Sequence, residues 1–208
     1  MWSWIMVACA MLLLMNACGS SRPLPTAQDK PTQVAQQAAG SVSPIQRLRM
    51  QAERGNVEAQ FALAQAYDRG RDVPKDKTEA VRWYRRAAMQ GDTFAQNALG
   101  DNYWEGTGVP KDDREAARWW RLAAAQGFAP AQHSLGKILS GGGQGVRTDK
   151  IQAYMWLVLS AAQGDEEAGR QGNLLSKQLK PAEMTNAKKL VKEWKPSRAS
   201  VTINKNGL

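Results

Sequence analysis

Residues 91–126 have the sequence GDTFAQNALGDNYWEGTGVPKDDREAARWWRLAAAQ, and related sequences precede and follow this stretch. The glycine that opens it recurs at intervals of 36, 36 and 37 residues, at Gly55, Gly91, Gly127 and Gly164. An alanine lies four positions after each glycine, and the first three copies have a leucine eight positions after it. A period of this size is typical of stacked structural repeats. The sequence therefore predicts an all-α fold, an α-solenoid of stacked helix-turn-helix repeats.

Each copy is predicted to form a helix A, a loop and a helix B. Helix A is expected to end at a glycine in the left-handed conformation, at Gly70, Gly106 or Gly142. Helix B begins with an aspartate that is followed three residues later by Glu or Gln, at Asp76, Asp112 and Asp149. This pattern predicts a capping box, in which the Asp accepts amide protons and the Glu or Gln reaches back to the backbone of the Asp.

The core face follows from the helical rotation of about 100° per residue. Positions four, eight, nine and twelve after each opening glycine lie on one side of helix A and are predicted to be buried. On helix B, Trp83, Trp119 and Trp156 are predicted to fill the space between units, with Trp119 between the second and third. The tryptophans are thus interpreted as core rather than as a surface on which nucleic-acid bases stack.

The middle copy resembles the Sel1-like repeat, a relative of the tetratricopeptide repeat. The matching residues are Ala95, Leu99, Gly100, Tyr103, Gly106, Gly108, Val109, Asp112, Ala116, Trp119, Trp120, Ala123, Ala124 and Gly127. The resemblance covers residues 44–195 and implies about three Sel1-like units plus capping helices. The first copy departs from the pattern at Ala64 and Asp72, where the family has glycine. The third copy departs at Val146-Arg147, in its lengthened loop.

Single helices are predicted to cover the two ends of the stack. Ser43 and Pro44 begin one of them, as a cap and a first-turn proline. At the other end, a weak helix over residues 165–178 contains two glycines, and a second helix follows Pro181. The second has one apolar stripe, formed by Met184, Ala187, Leu190, Val191 and Trp194.

The first seventeen residues carry no charged side chain, and Ile5–Met15 is an apolar run. Its length predicts a signal peptide over residues 1–17 and is too short for a comfortable membrane span. Cys18 at the end of this segment resembles the lipid-attachment cysteine of bacterial lipoproteins, whereas Cys9 lies inside the apolar run. Because no Asp follows Cys18, the resemblance implies an outer-membrane lipoprotein facing the periplasm. A plain secretory signal, giving a secreted or soluble periplasmic protein, and an uncleaved anchor are the alternatives.

Two further segments are predicted to stay outside the solenoid. Residues 18–43 contain three prolines and few large apolar side chains, so they are expected to form a flexible linker. Residues 196–208 are expected to be a disordered tail. Together with the signal peptide over 1–17 and the repeat domain over 44–195, these segments make up the predicted organisation of the chain.

The composition restricts the kinds of site that the chain can build. The net charge is +9, which fits nucleic acid, anionic lipid or an acidic polymer as partners, as well as a solvated basic face. Both cysteines precede residue 19 and the one histidine is His133, so no disulfide, zinc site or cofactor is expected in the repeats. The glycine-rich segment 141–145 lacks the Lys-Ser/Thr of a phosphate-binding loop and is interpreted as a lengthened turn.

The function predicted from these features is a non-enzymatic protein–protein interaction scaffold in the cell envelope. An envelope enzyme or a binder of cell-wall fragments is the alternative. A nucleic-acid binder is suggested by charge alone, and the signal segment argues against it.

The binding surface is predicted on the side of helix A that lies opposite the core, at positions three, six, ten, thirteen and fourteen. Residues here differ between copies, as expected either for unconstrained solvent positions or for contact with a non-repetitive ligand. Phe61 and Trp104 are predicted to be exposed, with Trp104 as the main anchor. The resemblance to tetratricopeptide repeats implies that this face lines a concave groove that holds a protein or peptide. The predicted partner-binding residues are Phe61, Gln65, Asp68, Asn97, Asp101, Trp104, Glu105, His133 and Lys137.

Overall fold

The computed structural model describes residues 42–197. The predicted signal peptide, Cys18, nearly all of the predicted linker and most of the predicted tail lie outside these residues. Within them the chain forms nine helices and no strand. The helices are α1 (Pro44–Glu53), α2 (Val57–Arg69), α3 (Lys77–Met89), α4 (Thr93–Glu105), α5 (Asp113–Ala125), α6 (Ala129–Gly141), α7 (Lys150–Ala161), α8 (Glu166–Ser176) and α9 (Pro181–Glu193). The predicted all-α solenoid is confirmed.

Consecutive helices from α1 to α8 pack on one another. The A helices are α2, α4 and α6, and the B helices are α3, α5 and α7; α8 occupies the next A position. The helix α1 covers the first unit, and its N-terminus has the predicted cap, in which Gln46 N donates to Ser43 Oγ at 3.2 Å. At the other end, α8 and α9 both pack on α7.

The B helices begin at the predicted aspartates, but the reciprocal half of the predicted capping box is wrong. Asp76 Oδ1 accepts from the backbone N–H groups of Thr78 at 2.9 Å and of Glu79 at 3.0 Å. The backbone N–H of Asp76 donates to the carbonyl oxygen of Tyr67 at 3.0 Å, so it needs no carboxylate. The side chain of Glu79 therefore pairs with Arg82 on the next turn. The second unit repeats the arrangement, with Asp112 N donating to Tyr103 O at 2.9 Å.

The predicted core positions of helix A are buried, apart from a partly exposed tyrosine in each of the first two units. Trp83, Trp119 and Trp156 are also buried, with 6–7% of their surface exposed. The position predicted for Trp119 needs correction. It lies in the cluster formed with Trp83 and Leu99 of the first and second units. The adjacent Trp120 belongs instead to the cluster shared with the third unit.

Glycine at position nine of a unit is required by the ring that faces it. A Cβ added to Gly100 would lie 2.3 Å from the Trp120 ring, far inside van der Waals contact. In the first unit the equivalent pair is Ala64 and Tyr84, whose smaller ring leaves room for a methyl group. The other departure of the first unit is Asp72, which has φ 60°, as its glycine counterpart in the second unit has φ 73°. Asp tolerates this left-handed conformation better than most residues.

A ladder of buried glutamines links successive units. Gln96 is fully buried, and its Nε2 donates to the carbonyl oxygen of Ala88 at 3.1 Å. Its Oε1 accepts from Gln126 Nε2 at 2.8 Å, so both ends of the amide are satisfied. Gln60 and Gln132 make the same pair of bonds in the first and third units. Buried amides of this kind resist sliding of one helix along the next, because a shift leaves them unpaired.

The closing segment ends beside the second unit. The Trp194 ring lies 6.2 Å from the Trp156 ring, edge to face, and Ser197 N donates to the carbonyl oxygen of Ala125 at 2.9 Å. The two closing helices match their predictions, and the apolar stripe of α9 packs inward with Ala187 fully buried. Among residues 42–197, no helix is both long enough and apolar enough to span a bilayer.

Candidate interaction surface

Three phenylalanines form a continuous row across the A helices, here called the aromatic strip. Phe61 lies on α2, Phe94 on the first turn of α4, and Phe128 at the N-cap of α6. The ring centroids of Phe61 and Phe94 are 5.9 Å apart, and those of Phe94 and Phe128 are 5.2 Å apart. Phe94 is 57% exposed, the most exposed aromatic side chain among the described residues. The strip therefore presents an apolar surface that runs from α2 across the start of α4 to the start of α6.

The exposure predicted for Phe61 and Trp104 is wrong, since both are partly buried. Phe61 packs against Tyr84 of helix B, with ring centroids 5.7 Å apart. Trp104 lies 5.9 Å from the Trp120 ring, and the ammonium group of Lys111 covers it at 4.7 Å from the ring centroid. Large rings at these positions lean over the neighbouring B helix, which shields part of each. Trp104 is therefore a less accessible anchor than Phe94.

Three of the predicted binding residues line one pocket between α2 and α4, with a volume of about 160 Å³. They are Asp68, Asp101 and Glu105, and the other polar lining residues are Lys77, Tyr84, Asn102 and Thr107. Lys77 Nζ lies 2.6 Å from Asp68 Oδ1. Among residues 42–197, Asp101 and Glu105 form no salt bridge. This carboxylate pocket therefore has an excess of negative charge in a chain whose net charge is +9.

Asp101 is held by two neutral donors. Trp120 Nε1 donates to its Oδ1 at 3.0 Å, and Asn97 Nδ2 donates to its Oδ2 at 2.9 Å. Burial raises the pKa of Asp101 to about 6, and the charge of Glu105 adds to the rise, while the two hydrogen bonds oppose it. The carboxylate is therefore positioned but not neutralised by a cation.

The other predicted residues do not join this pocket. Gln65 lines a separate groove of about 530 Å³ between α1 and α2, together with Arg47 and Arg69. Lys137 is exposed on α6. The nine predicted residues are thus spread over the face, and the first two units bring together only part of the set.

His133 is occupied in joining α6 to α8. Its Nδ1 lies 2.8 Å from Asp165 Oδ2, which also accepts from Ser160 Oγ at 3.0 Å. Although partial burial opposes it, hydrogen bonds from Ala168, Ser160 and His133 hold the pKa of Asp165 below its usual range. Ser160 is fully buried and donates away from the histidine, so the three residues lack the nucleophile-to-base contact of a hydrolase. The cluster is a structural link.

The two helical layers carry opposite charge. The A layer, α2, α4, α6 and α8, has six carboxylates and three basic residues. The helices α3, α5, α7 and α9 have eleven basic residues and five carboxylates. The basic excess of the described chain therefore lies on the B helices and α9, and of these basic residues Lys77 lines the carboxylate pocket.

Phe94 is not among the predicted binding residues, although it occupies position three of its unit, which lies on the predicted binding face. The available signal was a large apolar side chain where the other copies have Glu58 and Pro130. The contribution of Phe128 was also missed, because it stands at an N-cap position that Asn56 and Asp92 fill in the first two units. Within the described residues, no group of three or more His, Cys, Asp or Glu side chains is arranged to hold a metal ion.

Comparison with known proteins assigns the repeat. The Sel1 repeat model matches residues 57–92, 93–128 and 129–165. A crystal structure of a Sel1 repeat protein from Oxalobacter formigenes is 37% identical, with a TM-score of 0.58, over 64% of this chain and 98% of that one. A protective antigen of uropathogenic Escherichia coli with an SLR fold is 30% identical, with a TM-score of 0.54, over 78% of this chain and 43% of that one. The comparison with curated proteins gives no match. The three matched repeats together span more than half of the sequence, and the chain therefore belongs to the Sel1 repeat family.

Proposed function

We propose that this chain is a non-enzymatic scaffold that holds a partner protein or peptide on the A-helix face of its first two units. Sel1 repeat proteins generally mediate protein–protein interaction. The observation that carries the proposal is the aromatic strip, in which Phe94 leaves 57% of its surface exposed. Large exposed aromatic side chains at the centre of a surface are typical anchors of protein interfaces.

Stacking of the repeats does not account for this exposed ring. The seams between units are filled by Trp83, Trp119 and Trp156, and each glutamine of the ladder donates to one neighbour and accepts from another. At the position of Phe94, the first and third units have Glu58 and Pro130 and still pack as A helices. A large apolar ring at a position where a glutamate and a proline also allow the helix to pack supports a role in binding.

We further propose that the scaffold is lipid-anchored at Cys18 in the outer membrane and faces the periplasm. The support is the uncharged segment 1–17, its apolar run and the position of the cysteine after it. A linker of the composition of residues 19–43 would place the repeats about 25–30 Å from the membrane surface.

Cross-linking in living cells tests the binding proposal. A photoreactive amino acid placed at position 94 should cross-link to a discrete partner, whereas the same amino acid at position 174 on α8 should not. Leu174 is the matched control, because it is 61% exposed and lies away from the strip. Equal yields at both positions, or none at position 94, would contradict a binding site on this face.

Fractionation tests the anchor separately. Cys18→Ser should abolish incorporation of labelled palmitate and move the protein from the membrane fraction to the soluble fraction or leave its precursor unprocessed. A Cys9→Ser control should behave as wild type. A Cys18→Ser protein that still matures and remains in the membrane would contradict the lipid anchor.

A further inference from the structure

From the arrangement of charged and apolar groups on α4, we propose that the partner is a cationic segment. It places an apolar side chain on the aromatic strip and an arginine or lysine in the carboxylate pocket. This inference rests on the proposed function and adds the chemistry of the ligand. It concerns the A face of the first two units.

The apolar and acidic parts of the surface lie on one stripe of one helix. Phe94, Asn97, Asp101 and Glu105 follow one another at spacings of three and four residues, so they share a face of α4. No basic residue occurs between Thr93 and Glu105. A ligand that lies along α4 from its N-terminal end contacts the aromatic strip first and the carboxylates next.

The acceptors on this stripe exceed the donors available to them. Asp101 and Glu105 have no cationic partner among residues 42–197, and Asn97 Oδ1 is buried without a hydrogen-bond donor there. The carboxylate of Asp92, near the same end of α4 as Phe94, has its pKa raised by burial and by the neighbouring Glu58. A ligand with arginine or lysine would pair with the carboxylates of Asp101 and Glu105, whereas an acidic one would add to the repulsion.

The same charges exclude a non-specific explanation for such binding. The whole chain carries +9, and the helices α3, α5, α7 and α9 carry eleven basic residues against five carboxylates. A cationic peptide is repelled by most of this surface and attracted only where carboxylates are grouped. Binding of a cationic peptide to this protein therefore reports on a local site.

The helix geometry sets the spacing that the ligand needs. Phe94 and Asp101 are seven residues apart, which at about 1.5 Å per residue is roughly 10 Å along α4. An extended peptide covers that distance in about three residues at roughly 3.3 Å each. The ligand should therefore carry its apolar and cationic side chains about three positions apart.

Fluorescence anisotropy with matched peptides tests the inference on the purified full chain. The probe is a short labelled peptide in which Leu-Phe and Arg-Arg are separated by Ser-Gly. One control replaces both arginines with citrulline, which keeps the shape and removes the charge, and the other replaces Leu-Phe with Ser-Ser. Each control should bind at least about tenfold more weakly than the probe, corresponding to the loss of one good contact.

Variants of the protein locate the site. Phe94→Ser, and separately Asp101→Asn with Glu105→Gln, should each weaken the probe about tenfold, while Leu174→Ser should leave its affinity unchanged. Far-ultraviolet circular dichroism checks that each variant is folded. Equal affinity for the probe and the citrulline peptide, or an affinity untouched by the Asp101 and Glu105 changes, would overturn the cationic ligand.

The two proposals fail differently. If position 94 cross-links a partner in cells and the partner's cross-linked segment carries no arginine or lysine, the scaffold stands and the ligand chemistry is overturned. If position 94 cross-links nothing and the probe does not bind, the site itself is overturned.

Discussion

The A-face junction between the first and second units differs from the one between the third unit and α8. In the first, Phe61 faces Phe94 across 5.9 Å, and Phe94 remains 57% exposed. In the second, His133 contacts Asp165 at 2.8 Å, and Ser160 completes a buried hydrogen-bonded link. One junction presents an apolar surface to solvent, whereas the other uses its polar groups to fasten the closing helix.

This difference shows that inward and outward positions of a repeat are subject to different constraints. The seam residues recur because each unit stacks on the next in the same way, and Trp83, Trp119 and Trp156 show similar burial. The outward positions are free of that demand, so each junction uses them differently. The stacking of units does not explain why a large apolar ring stands at position 94. The following predictions compare Phe94 with the residues on which stacking depends.

The largest effect is expected at the seam. Trp119→Ala should lower the free energy of unfolding by about 3–5 kcal/mol, because it leaves a cavity beside Leu99. Hydrogen exchange should show the greatest loss of protection at the junction of the first and second units. Leu174→Ala is the control and should stay within about 0.5 kcal/mol of wild type in urea unfolding. A loss under about 1 kcal/mol for Trp119→Ala would show that the seam is not filled as described.

The glutamine ladder should have a smaller effect. Gln96→Ala removes the donor to Ala88 O and the acceptor for Gln126, and should cost about 1–3 kcal/mol in urea unfolding. The matched control is Gln65→Ala, a partly exposed glutamine on α2. Similar small changes in both variants would show that the ladder contributes nothing to the stack.

Two glycine substitutions should change stability in opposite directions. Gly100→Ala should destabilise by about 1–3 kcal/mol, since its methyl group would overlap the Trp120 ring. Gly169→Ala should stabilise by about 0.5–1 kcal/mol, because its methyl group meets only Ala161 Cβ at an ordinary 3.6 Å. Thermal unfolding of both variants gives the signs. A stabilised Gly100→Ala would contradict the packing of α4 on α5, and a destabilised Gly169→Ala would contradict the open space beside Ala161.

The smallest of these effects concerns the pH dependence of stability. The folded pKa of Asp101 is about 6, above its ordinary 3.8, so the folded state binds more protons between these values. Its contribution is therefore favourable at low pH and is lost as the pH rises from about 4 to 6. Glu105, Asp68 and Lys77 line the same pocket, and the charge of Glu105 raises the pKa of Asp101. Asp101→Asn should flatten this part of the stability curve in urea unfolding, whereas an unchanged curve would place the carboxylate in solvent.

The fold followed from the sequence because every unit repeats the same seam. A 36-residue spacing, recurrent alanines and the aspartate caps were sufficient to predict three units and their closing helices. Fine contacts were not predictable. The assignment of Trp119 rather than Trp120 to a given seam depends on a difference of one position in the direction of a side chain. The Glu79 side chain does not bond to the backbone N–H of Asp76, because that group already donates to the carbonyl oxygen of Tyr67, nine residues earlier in the chain.

The candidate surface was only partly predictable. Helical angles placed Asp68, Asp101 and Glu105 on one side of helix A, and the structure brings these three residues into one pocket. The angles could not show that Trp104 lies between Trp120 and Lys111, because both neighbours come from other parts of the unit. The role of these residues in binding stays a prediction.

The central claim is that the exposed ring of Phe94 contributes little to the stability of the fold and is available to a partner. Its most direct test is the free energy of unfolding of Phe94→Ser, measured in urea beside wild type and Trp119→Ala. Phe94 packs at a tilt on Phe61 and edge to face on Phe128 while 57% of its surface stays exposed, so the variant should lose about 1 kcal/mol or less. A loss of about 3 kcal/mol or more, comparable to the core truncation, would make Phe94 a folding residue and contradict the claim.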